Sequence, residues 1–237
     1  NNSSDGSKDL LLDLRAAHGD IPISVILNDI NSGFAAGNNL GIKASKGKYC
    51  MLLNNDTLVT RGWLTSLLKH FSKNDSIGMV GPVTNSIGNE AKILVNYRDL
   101  TELEVFADQN FNNNLNRTID DPNVLALFAT LIPRELLFDV GLIDESYGIG
   151  MFEDDDLANK IREHGKRLLI AEDSFIHHFQ RVSFGQLNPE VEKELFEKNK
   201  LLFEKKWGVK WAVHSHREGV SWDTNMESTD SLRPLIE

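Results

Sequence analysis

The chain has 237 residues, 41% hydrophobic and 25% charged, the balance of an ordinary globular protein with material for one sizeable core. Its 35 acidic against 25 basic side chains leave a formal net charge of -10, which argues against a nucleic-acid backbone as the main partner, and no apolar run reaches bilayer-spanning length. A polyanionic substrate would therefore be held through local positive charge or a metal ion.

The opening Asn1-Asn2-Ser3-Ser4-Asp5-Gly6-Ser7 reads as a turn or helix entry, with Ser and Asp able to cap the apolar-periodic run Leu10, Leu11, Leu14. A helix from about residue 7, followed by a strand over Ile23-Ser24-Val25-Ile26-Leu27, is the later half of a βαβ unit whose first strand is absent. A plain N-terminal cap explains the opening equally well. The start on Asn rather than Met reads as an excised piece.

Next comes Asn31-Ser32-Gly33-Phe34-Ala35-Ala36-Gly37-Asn38-Asn39-Leu40-Gly41, rich in small residues and amides that let a ligand or another backbone approach. It lacks the spacing of a P-loop or a dinucleotide fingerprint, and tight helix packing accounts for it as well. The run Lys48 to Leu53 has strand length and is apolar, with the single Cys50 as a buried core residue suited to a reducing compartment. It stops abruptly at Asn54-Asn55-Asp56-Thr57. In an open α/β sheet, ligands bind beyond the carboxyl ends of the strands, so Asp56 stands where a metal or phosphate would sit, or it belongs to a turn capping the helix near Trp63.

Trp63, Leu64, Leu67, Leu68 and Phe71 repeat at helical spacing, and Ile77 to Val83 reads as another buried strand. Thr84 to Ala91 is a polar loop. Leu100 to Asn116 is acidic and amide-rich, expected to be exposed, while Val124 to Ile132 is core and Pro133 opens a short helix to about Val140. Glu153-Asp154-Asp155-Asp156 then open one helix. Helix N-termini favour acidic residues, yet four in a row raise one another's proton affinity, which makes one of them a candidate general base. Arg167 to Ala171 and Ser174 to His178 read as short strands, the second ending in His177-His178, of which alternation turns one towards the site. A single strand histidine is commonly just hydrogen-bonded, but Asp56, one histidine, substrate phosphates and water would complete an octahedral cation set. Pro189 to Trp207 is a helix with an apolar stripe ending at Gly208. Residues 209–237, with His214-Ser215-His216, read as a loosely structured tail in which metal binding is the weaker alternative.

Taken together, the Asn1–Ser7 opening, Asn31–Gly41, Leu53-Asn54-Asn55-Asp56-Thr57, Val140-Gly141-Leu142-Ile143-Asp144-Glu145, Phe152-Glu153-Asp154-Asp155-Asp156-Leu157 and His177-His178 through Ser183-Phe184 resemble, in order and spacing, the family 2 glycosyltransferases of the GT-A fold, rhamnosyltransferase-like branch. The resemblance implies an α/β fold, a Rossmann-like mixed sheet flanked by helices, in a glycosyltransferase domain over 1–208 that lacks its first strand. It implies an inverting enzyme that moves a sugar from a nucleotide-diphosphate donor to a hydroxyl of a glycan or lipid-linked acceptor in bacterial surface polysaccharide synthesis. The setting would be the cytoplasm, extending to peripheral association with the inner face of the membrane. Mn2+ or Mg2+ would be held by Asp56 with His178, or His177 in its place. Asn31, Gly33, Asn38, Asn54 and Asn55 would line the donor side, Asp154 would be the base, and Glu153 would orient the acceptor or the base. Asn at the first positions of the usual two-acid motif leaves Asp56 as its only charge. A non-catalytic sugar-nucleotide or scaffold module of a larger glycan-assembly protein is the alternative.

Overall fold

The computed structural model describes residues 1–72, 74–179 and 188–220. The expectations placed on Ser183-Phe184 and on Ser221 to Ser231 lie outside them. Helix α1 (Ser7–Ala17) and α2 (Gly33–Ala44) precede β1 (Tyr49–Leu53), β2 (Thr57–Val59), α3 (Trp63–Phe71) and β3 (Ile77–Val83). There follow α4 (Leu100–Asn113), β4 (Thr118–Asp120), β5 (Ala129–Pro133), α5 (Arg134–Asp139), α6 (Glu153–Glu163), β6 (Arg167–His178) and α7 (Pro189–Trp207). This is the mixed α/β architecture expected, a central sheet flanked by helices.

The strands run in the order β1-β5-β3-β6-β2, with β4 against the first half of β6. Since β5 is antiparallel to both β1 and β3, and β6 is parallel to β3, the carboxyl ends of β1, β3 and β6 share one edge. That edge collects the Asp56 turn, the Thr84–Ala91 loop and His178. Beneath it, Met79, Ile132, Leu157, Ile161, Leu168 and Ile170 are fully buried in the main core.

Several expectations change. Ile23–Leu27 forms no strand: Ile26 and Leu27 are exposed, and the backbone bonds flanking the run are Ile21 N–H to His18 O at 2.9 Å and Asn2 N–H to Asn28 O at 3.0 Å. An apolar run becomes a strand only when a neighbouring backbone completes its hydrogen bonds, and a cleft separates it from β1. The exposed stretch Leu100–Asn113 is a helix. The Asp99 carboxylate accepts from Glu102 N at 2.9 Å, and Glu102 returns to Arg98 N at 2.7 Å, so both N-terminal donors are satisfied while Leu103 and Ala107 reach the core. The run Val124–Ile132 is core as expected, buried but for the partly covered Ala126, and pairs as a strand from Ala129. The two strands expected over 167–178 are one, with a register shift between Pro82 and Val83 of its neighbour.

A buried polar knot ties α3 to β6. Asp173 accepts from Ser66 Oγ at 2.5 Å, His70 Nε2 at 3.1 Å and the Asn116 backbone at 2.8 Å. Burial pushes its carboxyl upward, but the donors outweigh this and hold it below the ordinary range.

Candidate active site

The sequence Asn54-Asn55-Asp56-Thr57 forms a turn that is fastened at both ends. Asn54 N–H donates to the Phe128 carbonyl oxygen at 2.7 Å, Thr57 Oγ1 donates to Asn54 O at 2.7 Å, and Phe179 N–H donates to Asp56 O at 2.9 Å. Strand β2 then pairs Thr57 with His178, which brings the Asp56 carboxylate beside that ring: Oδ1 and Nε2 are 3.4 Å apart. The imidazole is held from three sides. Its Nδ1 donates to Ser86 O at 3.0 Å, its ring stacks on Phe128 at 4.8 Å, and its backbone N–H and C=O pair with the Asn85 amide at 2.8 and 3.2 Å. With Nδ1 carrying the proton, the Nε2 lone pair faces Asp56.

Asp56 Oδ1 is buried and, among the described residues, accepts no hydrogen bond. Two inward-facing acceptors leave a site that a cation would satisfy, and a histidine whose other nitrogen donates to a carbonyl is the usual form of a metal ligand. Mn2+ or Mg2+ therefore fits Asp56 and His178. The described residues contain no cluster of three such ligands, so the remaining positions would fall to water and phosphate oxygens, as is common for these ions.

His177 points the other way. Fully buried, it accepts at Nδ1 from the Tyr97 hydroxyl at 2.6 Å, and burial, with His178 next to it, holds its pKa down to about 4. It lies away from Asp56, as strand alternation dictates, and so stands outside the pair.

The donor-side residues divide. Asn38, Asn54 and Asn55 line a cleft of about 620 Å³ alongside β1, together with Asn1 and Asn28. Asn31 and Gly33 shape the turn into α2 instead: Asn31 Oδ1 accepts from Gly33 N at 3.1 Å, and Gly33 has φ +89°. A Cβ on Gly33 would meet Gly148 O at 2.0 Å, and Phe34 N–H donates to Ile149 O at 3.1 Å, so this loop abuts the approach to the acidic helix.

That helix begins after Met151 and Phe152, both left-handed at φ +77° and +75°, a conformation that costs non-glycine residues energy and is kept where the surroundings enforce it. Here α7 enforces it: Asn199 Nδ2 gathers the carbonyl oxygens of Tyr147, Gly150 and Met151 at 2.8, 2.8 and 3.3 Å. The four carboxylates then meet different fates. Asp156 is fully buried and bound to Lys206, Trp207 and Tyr147, with Lys160 at 3.4 Å, so it is structural. Asp155 accepts from Trp211 Nε1 at 3.1 Å and His214 Nε2 at 2.8 Å. Glu153 is buried with Oε2 unpartnered, and Asp154 accepts from the Asp155 backbone at 3.0 Å. Burial first, and then a neighbouring negative charge, raise the proton affinity of both: Asp154 acts on Glu153, Asp155 on Asp154.

Trp211 and His214 were not among the expected site residues. Residues 209–220 form a strap, largely exposed but fastened at Trp211, His214, Arg217 and Val220, with Arg217 donating to Glu90 O at 2.6 Å and Glu172 Oε1 at 2.6 Å. The aromatic and histidine content of Trp211 to His216 was the available signal. Through Ser86 on His178 and Glu90 on Arg217, the Thr84–Ala91 loop links the Asp56 turn to the strap that covers the acidic helix.

Comparison with known proteins adds the following. The family model "Glycosyl transferase family 2" matches residues 1–135. A crystal structure of GalNAc-T7 with UDP, GalNAc and Mn2+ superposes with a TM-score of 0.59 at 21% identity, over 79% of this chain and 37% of that one. The mannosyltransferase PcManGT from Pyrobaculum calidifontis, in complex with GDP-Man and Mn2+, gives a TM-score of 0.60 at 17% identity, over 89% of this chain and 54% of that one. At these identities the likeness is one of fold, and the chain spans between about a third and about half of those proteins. No curated protein matches the chain.

Proposed function

The chain belongs to glycosyl transferase family 2, and on that premise we propose that it is an inverting, metal-dependent glycosyltransferase moving a sugar from a nucleotide-diphosphate donor to a hydroxyl of a glycan or lipid-linked acceptor. The observation that carries this reading is the buried, unpartnered Oδ1 of Asp56 facing His178 Nε2 at 3.4 Å, on the sheet edge that collects the donor-side amides. The order of motifs supports the rhamnosyltransferase-like branch and with it surface polysaccharide synthesis at the inner face of a bacterial membrane. No helix among the described residues is long and apolar enough to cross that membrane.

Asp56 and His178 would hold Mn2+ or Mg2+, which when bound offsets the negative charge that builds on a departing diphosphate. Asn54, Asn55 and Asn38 offer amide donors and acceptors to the nucleotide along the cleft, while Asn31 and Gly33 fix the loop beside it. Asp154 takes the proton of the acceptor hydroxyl as its oxygen bonds the anomeric carbon and the bond to the diphosphate oxygen breaks on the opposite face, which inverts the configuration. A carboxylate with raised proton affinity suits this role near neutral pH, being ionised often enough to accept and basic enough to hold the proton. Buried Glu153, raised likewise, stays protonated and donates a hydrogen bond that orients the acceptor or the base.

The test is titration of the chain with UDP and GDP in the presence of Mn2+ or Mg2+, followed by assay of UDP- and GDP-sugars for slow hydrolysis. Metal-dependent nucleotide binding with sugar release supports the enzyme. Nucleotide binding with neither hydrolysis nor transfer to any acceptor mixture means a non-catalytic nucleotide-sugar module.

A further inference from the structure

After α7 the chain turns back across the start of the acidic helix. Trp211 packs edge-on against Phe152 and Phe196, each at 5.4 Å, and donates to Asp155. Three residues on, His214 places Nε2 2.8 Å from the same oxygen, with side-chain exposures of only 18% for His214 and 13% for Asp155. Arg217 then anchors the strap to Glu90 and Glu172. Asp155 in turn donates its backbone N–H to the Asp154 carboxylate at 3.0 Å. The histidine therefore reaches the base candidate through one intervening residue.

Among the described residues, the ionisable groups facing His214 are acidic, Asp154 and Asp155 from α6 and Glu90 from the loop after β3, while Asp154 itself also faces Glu153 on its own helix. The Trp211 ring, on the same strap, lies edge-on at 5.5 Å. Burial opposes charge on the imidazole, but these carboxylates outweigh it and lift its pKa above the ordinary value. Trp211 already supplies Asp155 with a hydrogen bond, and Arg217 already fastens the strap. What His214 adds beside Asp155 is the ion pair that neither Trp211 nor Arg217 makes there.

Resting on the reading of Asp154 as the base, we infer that His214 is a positioning residue for it: by pairing with Asp155 from the strap, it cancels the negative charge beside Asp154 and sets the proton affinity at which Asp154 works. Loss of that charge leaves Asp155 uncompensated and makes Asp154 harder to ionise. Loss of the Asp155 charge has the opposite effect.

The full chain, labelled with 13C at the aspartate carboxyls, allows Asp154 to be titrated directly by NMR, its resonance assigned by disappearance in Asp154→Asn. In His214→Gln, which keeps a hydrogen-bond donor without the charge, the Asp154 midpoint moves up by about one pH unit, and in Asp155→Asn it moves down by a similar amount. His214→Lys, which restores the charge, brings the midpoint back towards wild type. Midpoints within about 0.2 units of wild type in both His214→Gln and Asp155→Asn, in folded protein with unchanged thermal melts, overturn the inference. Sugar-nucleotide hydrolysis surviving in Asp154→Asn overturns the base assignment instead, a separate result from a separate assay.

Discussion

Nε2 of His178 and the buried Oδ1 of Asp56 face each other at 3.4 Å, the ring fixed by Ser86 behind it and Phe128 beneath. A carboxylate oxygen that accepts no hydrogen bond, set beside an imidazole whose other nitrogen is anchored on a carbonyl, is a good half of a cation site.

Replacing either member therefore acts on the metal first. Asp56→Ala removes the only charge of the turn, and His178→Ala the only nitrogen; each should weaken Mn2+-dependent nucleotide binding at least tenfold, roughly the lower end of what perturbing a metal's surroundings costs. Calorimetric titration of UDP or GDP with and without Mn2+ measures this. Equal affinity in wild type and Asp56→Ala would remove the metal from the scheme.

Neighbouring aspartates on α6 should separate by role. Asp154→Asn is expected to abolish sugar transfer while donor binding and melting temperature stay close to wild type. Asp156→Asn should instead destabilise the fold by about 3–5 kcal/mol, because Lys206 and Lys160 lose a buried counter-charge. Urea unfolding set beside a donor-hydrolysis assay distinguishes them.

A third substitution probes the support of the acidic helix from behind. Asn199→Ala strips one donor group from three carbonyls at once and should cost about 3 kcal/mol. Because Met151 and Phe152 hold left-handed backbone only under constraint, turnover should fall even below the unfolding transition. Turnover unchanged at full folding would mean that the helix entry needs no brace.

Acid should weaken the fold at Asp173, one of its paired carboxylates. Its folded pKa lies below the unfolded one, so the unfolded chain binds more protons in between; the stabilisation is complete above the ordinary carboxylate range and disappears as pH falls through the lower, folded value. Asp173→Asn should flatten that acid-side decline and lower stability at neutral pH. Denaturation curves from pH 7 down to pH 3 are the check.

Much of the site was legible because its signals are local. A strand that ends in Asn54-Asn55-Asp56 and a helix that opens on four acids declare themselves within a few residues, and two-residue alternation separates His178 from His177. What escaped depends on distant partners. Ile23–Leu27 has strand composition but nothing to pair with, and Leu100–Asn113 conceals an ordinary capped helix behind amides and acids that face water. His214 gains meaning only when the chain doubles back 59 residues to Asp155. Nothing in the spacing of 153–156 reveals that Asp156 is the structural member, since Lys206 and Trp207, which claim it, lie on another helix.

Gly33 carries one last consequence. The backbone at that residue presses so closely on Gly148 that a single methyl would act as a wedge, prising the turn into α2 from the loop that leads to α6. On the proposed reading, that contact ties the donor-side turn at Asn31 and Gly33 to the entry of the helix that carries Asp154, and one carbon atom would be enough to loosen it.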